Sequence, residues 1–116
     1  LHVLVSERVY PYDQVDIGSH LFALGRTEEA IEHFRLATSI DPLHPESYNN
    51  LGNALASLGR FQEAEKPLRT ATEILPESAE LNYDLAQVLA GLGRVDEAEA
   101  AYLTALRADP DYQEGS

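Results

Sequence analysis

The chain has 116 residues, 44% hydrophobic and 24% charged, enough for one small globular domain. Its 20 acidic side chains against 8 Lys and Arg give a net charge of −12, which leaves no basic face for nucleic acid and disfavours an anionic membrane surface. With no Cys, disulfides and thiolate metal sites are excluded and the compartment is left open, cytoplasmic by default. Apolar runs such as Val3-Leu4-Val5 are too short to span a bilayer. The absence of Met and the start at Leu1 read as a segment of something longer.

Residues 1–10, with Leu1, Val3, Leu4, Val5 and Val9, read as an N-terminal extension or the remnant of a preceding repeat. From residue 11 the chain is periodic. Leu24-Gly25-Arg26, Leu58-Gly59-Arg60 and Leu92-Gly93-Arg94 recur every 34 residues, followed in register by Glu29-Ala30, Glu63-Ala64 and Glu97-Ala98, and closed by Pro42, Pro76 and Pro110. The units run 11–44, 45–78 and 79–112, with a tail at 113–116. The first helix of each unit is expected near 12–24, 46–58 and 80–92. Ile17, Leu21 and Leu24 form an apolar face there, repeated by Leu51, Leu55, Leu58 and by Leu85, Leu89, Leu92. The glycine stops that helix, and acids such as Glu28 and Glu29 suit the first turn of a second. Second helices are expected near 28–40, 62–75 and 96–108. Gly18, Gly52 and Ala86 permit close approach within a pair. Pro67 falls inside the second helix of the middle unit, where it predicts a tolerated kink on the convex surface.

These residues resemble the tetratricopeptide repeat, a 34-residue helix pair with a signature of aromatic, Leu-Gly, aromatic, Ala, aromatic, Ala and Pro at set spacings. The middle unit carries Tyr48, Leu51-Gly52, Leu55, Gly59, Ala64, Leu68, Ala71 and Pro76, while Gln14 and Asn82 replace the first aromatic in the other two. The resemblance implies an all-α, right-handed superhelical solenoid of about six antiparallel helices whose first helices line a concave face.

By the family's usual geometry, that face draws on Tyr12, Val15, Asp16, Ser19 and Phe22, then Glu46, Asn49, Asn50 and Asn53, then Glu80, Tyr83, Asp84 and Gln87. It contains no Lys or Arg, and its amides suit an extended peptide backbone. The expected function is a protein–protein interaction scaffold for a peptide or partner domain, neutral or basic by preference. The alternative is a structural or substrate-docking arm of a larger enzyme such as a sugar transferase. Repeats that grip an acidic EEVD chaperone tail use Lys-Asn-Asn-Lys-Arg. Val15, Ser19, Asn50, Glu80 and Asp84 stand at those places, so such a tail is not expected as a partner. The outer side of the last helix, with Tyr102 and Leu106, is expected to stay partly open as a contact surface, with weak self-association there.

No catalytic role, metal or cofactor is expected. His2, His20, His33 and His44 lack the i, i+4 spacing of a helical metal site. His20 takes the slot of Ala54 and Val88 and is expected to be packed or partly buried. Ser39, Asp41 and His44 cluster at one inter-repeat turn, which lacks a fixed base and oxyanion site.

Overall fold

A computed structural model describes residues 11–112, with only the backbone of Pro11 and Tyr12. The reading of residues 1–10 and of the tail lies outside the described residues. Six α-helices follow in order: α1 (Pro11–Ala23), α2 (Thr27–Ile40), α3 (Pro45–Ser57), α4 (Phe61–Ile74), α5 (Ala79–Gly91) and α6 (Val95–Ala108). Each begins one residue ahead of the sequence expectation. The first helix of each pair stops in the same way. Gly25, Gly59 and Gly93 take φ of 82°, 76° and 79°, and the following arginine N–H returns to the carbonyl of Leu21, Leu55 or Leu89 at 2.9–3.0 Å. This left-handed stop satisfies carbonyls that the helix end would otherwise orphan.

Helices pair as α1–α2, α3–α4 and α5–α6, and the pairs stack through α2–α3 and α4–α5. The first helices also touch one another, α1 to α3 and α3 to α5, whereas no such contact joins α2, α4 and α6. An array whose first helices lie closer together than its second helices bends with α1, α3 and α5 on the inner side. The core follows the pairing. Ala30, Phe34, Leu51, Leu55, Ala64, Leu68, Leu85 and Leu89 form one continuous buried cluster. A methyl group on Gly52 would come within 2.4 Å of Leu68, and one on Gly18 within 2.5 Å of Phe34, so the absence of a side chain sets the spacing within those pairs.

The inter-repeat turns explain how the aromatic opening the signature can be lost. The Tyr48 hydroxyl donates to the Pro42 carbonyl at 2.9 Å. The Asn82 amide, at the same place one unit on, donates to the Pro76 carbonyl at 2.9 Å. Gln14 instead meets His33 Nδ1 at 2.8 Å.

Four sequence expectations need correction. Pro67 is not on the solvated convex surface. It is buried within an unbroken α4, because its repeat position faces the partner helix, as the Gln14–His33 bond demonstrates in the first pair. Leu24 and Leu58 are more than 40% exposed. Leu58 is a cap residue, and such residues project from the helix end instead of onto the apolar face. Ile17 is also exposed, and so is His20. They belong to the stripe that in α3 (Leu51, Ala54) and α5 (Leu85, Val88) is covered by the preceding pair, and among the described residues no helix precedes α1.

Candidate functional site

The inner side of α3 and α5 gathers polar side chains. Asn53 Nδ2 donates to Asp84 Oδ2 at 3.0 Å and lies 3.5 Å from Asn49 Oδ1, so one amide ties the second pair to the third. Two clefts flank this link. One, of about 400 Å³, is lined by residues that include His44, Glu46, Asn50, Glu80 and Leu81. The other, of about 440 Å³, is lined by Asn53, Phe61, Asp84, Gln87 and Val88 among others. The structure therefore brings together most of the second and third groups of predicted lining residues. Asp16, Ser19 and Phe22 are exposed on α1, while the Tyr12 side chain lies outside the described residues. Val15 is 4% exposed and Asn49 6%. They share one repeat position; Asn49 stands in the wall of the first cleft beside Glu80 and Leu81 of α5, whereas Val15 offers little open surface.

The outer edge carries a ladder of arginines and glutamates that the sequence analysis read only as helix starts. Arg26, Arg60 and Arg94 each chelate the glutamate three residues on, with nitrogen–oxygen distances of 2.7–3.0 Å. Across pairs, Arg60 reaches Glu28 at 3.1 Å and Arg94 reaches Glu65 at 2.7 Å. In the other direction Arg35 reaches Glu63 at 3.7 Å and Arg69 reaches Glu97 at 2.8 Å. Hydrogen bonds from these guanidinium groups hold the carboxyls of Glu29, Glu63, Glu65 and Glu97 below the ordinary carboxylate range. The signal for the ladder was present in the repeating Arg and Glu positions themselves.

At the far end, Tyr83, Ala86, Val95, Ala98, Glu99 and Tyr102 help line an apolar cleft of about 500 Å³ between α5 and α6. The Tyr83 ring stands 5.8 Å from Tyr102 and 5.4 Å from Tyr112. Tyr102 is exposed and Leu106 half-buried. Val95, 69% exposed, was not singled out from the sequence, because its exposure depends on which helix follows.

The turn residues disperse. Ser39 Oγ donates to the Leu36 carbonyl at 2.8 Å, Asp41 accepts the Leu43 N–H at 3.1 Å, and His44 Nδ1 meets Ser47 Oγ at 3.2 Å. Ser47 is wholly buried, out of reach of a substrate. Among the described residues, no group of three or more His, Cys, Asp or Glu is placed to hold a metal, and no helix is long and apolar enough to cross a membrane.

Two profiles of the tetratricopeptide repeat match, one over residues 14–77 and one over 49–113. The chain belongs to the tetratricopeptide repeat family. No curated protein matches it by sequence. Among solved structures, this tetratricopeptide array is similar to the first TPR of Spaghetti (RPAP3) bound to the HSP90 peptide SRMEEVD. The TM-score is 0.85 at 22% identity, over 88% of this chain and 81% of that one. The second TPR of Spaghetti, bound to the same peptide, gives 0.82 at 22% identity, over 85% and 92%.

These neighbours overturn the expectation that an acidic EEVD tail is not a partner, since domains of this fold hold one. That expectation compared Val15, Ser19, Asn50, Glu80 and Asp84 with a single pattern of cations. A peptide's backbone and carboxylates also accept from neutral donors, and Asn50 carries such a donor in the wall of the first cleft. The preference for neutral or basic partners, read from the net charge of −12 and from a face without Lys or Arg, is set aside with it.

Proposed function

We propose that this tetratricopeptide array is a protein-interaction scaffold that holds an extended peptide segment along the inner side of α1, α3 and α5. The observation that carries the reading is the amide row of α3 beside the Asn53–Asp84 link. A peptide backbone offers alternating N–H and C=O groups, and an amide side chain answers both. Asn53 is already committed to Asp84, so its role is to fix the spacing of the two helices. Asn50, half-buried at the cleft wall beside Glu46 and Glu80, is the residue left to meet a ligand. Holding these groups in place before binding reduces the ordering cost that a peptide complex must overcome.

The test uses fluorescence anisotropy with two probes: SRMEEVD, the peptide held by the two neighbours, and an array of unrelated extended peptides. Binding of at least one probe, weakened roughly 3- to 10-fold by Asn50→Ala, is expected for the loss of one hydrogen bond worth about 0.5–1.5 kcal/mol. Equal retention of every ligand by Asn50→Ala and by an Asn50→Ala, Asp84→Ala double variant would rule out the inner side.

A further inference from the structure

The two seams between helix pairs are built from the same helix contacts. The second pair meets the first through α2–α3 and α1–α3, and the third meets the second through α4–α5 and α3–α5. Each seam also has one large apolar side chain that the other lacks. Ile31, buried in the core, takes the place from which Glu65 reaches Arg94 across the second seam. In the second seam the Phe61 ring lies 3.0 Å from where a Cβ on Gly91 would stand, while the first has Thr27 and Ser57 at those places. Apolar contact is non-directional, so it attracts the pairs without fixing the angle between them.

The directional bonds differ. Across the second seam four side chains close a ring. Glu65 accepts from Arg69 at 2.8 Å and from Arg94 at 2.7 Å, and Glu97 accepts from the same two arginines at 2.8 Å. Glu65 is only 20% exposed, and the Asn53–Asp84 bond ties the inner side of the same seam. In the first seam Ile31 removes the acid that would close the ring. An open chain remains, from Glu28 to Arg60 at 3.1 Å, to Glu63, and on to Arg35 at 3.7 Å. Its two ends, Glu28 and Arg35, are more than half exposed. Ser19 and Asn50 hold the places of Asn53 and Asp84 and, among the described residues, are not bonded to each other. Two-pronged guanidinium–carboxylate bonds fix geometry as well as attract, and a network holds better than lone surface pairs. The second seam is therefore clamped in angle, whereas the first is attracted but able to tilt.

On the first pair, Phe22 of α1 is 41% exposed. Its counterpart Ala56 lines the second cleft, so this place faces the interval between neighbouring first helices. Phe22 is the one large side chain there, the other two units having Ala56 and Ala90. We propose that the α2–α3 seam is a hinge: α3–α6 move as one body, and the first pair tilts against it to set Phe22 on an apolar side chain of the held segment. The hinge follows from the two seams alone, while its occupant rests on the peptide reading above.

The chain has no Cys, so spin labels can be placed in chosen pairs. Ser39, Glu73 and Arg107 share one repeat position, are exposed, and lie in the last turn of α2, α4 and α6. Pulsed dipolar spectroscopy of Ser39→Cys with Glu73→Cys, and of Glu73→Cys with Arg107→Cys, reads the two seams in the chain without peptide. The first distance distribution is expected to be about twice as wide as the second. Glu65→Ile, which copies Ile31, or Arg69→Gln should widen the second to match, with circular dichroism reporting that the fold is kept. By anisotropy, SRMEEVD should bind Phe22→Ala about 3- to 10-fold more weakly than the parent chain. The peptide SRAEEAD, which lacks the two apolar side chains, should not distinguish them. Equal widths, or a second seam unmoved by both variants, would overturn the hinge. Affinity for SRMEEVD that ignores Phe22 would overturn the closure. Absence of all binding would count against the peptide reading and the closure together, and the widths measured without peptide tell that failure apart from failure of the hinge.

Discussion

The middle and last helix pairs are written on one template and end in different physical states. In the middle pair, Gly52 lets α3 and α4 close on Leu68, which has no exposure at all. In the last pair, Ala86 stands where that glycine was, and Tyr102, the counterpart of Leu68, is 43% exposed and leans on Tyr83. Arg69 reaches forward to a glutamate, whereas Leu103 has the same station and meets none. A repeat position thus has no fixed burial of its own. Its environment depends on the small residue opposite and on whether another helix covers it.

The largest test of this contrast is truncation at that position. Leu68→Ala is expected to cost about 2–5 kcal/mol, the range for a fully buried leucine. Tyr102→Ala should cost less, about 1–2 kcal/mol, because part of its surface is already wet. Urea melts of the two variants measure the gap, and equal losses would break the contrast. Next is the small residue itself. Gly52→Ala drives a methyl into Leu68 and is expected to destabilise by about 1–3 kcal/mol despite its better helix propensity. Ala86→Gly should lose only about 1 kcal/mol through propensity. A smaller effect of opposite sign is expected at Pro67. Restoring an N–H for the Glu63 carbonyl with Pro67→Ala, the residue found at Ala101, should stabilise by about 1–2 kcal/mol after loss of ring contacts. An unchanged or lowered melting temperature would sink that prediction.

The smallest effect is electrostatic. Hydrogen bonds from Arg69 and Arg94 hold the Glu65 carboxyl below its ordinary range. A group whose folded pKa is depressed adds stability that is present above its unfolded pKa and lost as pH falls through the folded one. The Glu65 resonance should therefore titrate at lower pH than a free glutamate and move upward in Arg94→Gln, while the stability change stays small because the groups are only partly buried and solvent screens the pair. Titration of Glu65 at the free value in the parent chain would contradict the ladder.

How much of this was legible beforehand follows from what each residue depends on. Gly25, Gly59 and Gly93 act through their own backbone, so the helix stops could be read directly. Leu55 and Leu89 lie mid-stripe, and their burial followed from the helical period. Val15, Pro67, His20 and Leu24 were misjudged for a shared reason. Their surroundings are set by a neighbouring helix or by a helix end, and the pattern along one strip of sequence is silent on both. The acidic-tail exclusion failed differently: it was read from five side chains, whereas two domains of the same fold are bound to such a peptide.

The stacking also has a kinetic consequence. Among the described residues, each helix touches others no further than two elements along the chain, although the molecule is 57 Å long and only 25 by 23 Å across. Little loop-closure entropy stands between the unfolded chain and its first native contacts. Such short-range topologies fold in about microseconds to milliseconds. Any single hairpin of helices can serve as the seed, and growth proceeds outward by adding neighbours. The two ends should therefore open first under denaturant, and amide exchange should slow steadily towards α3 and α4.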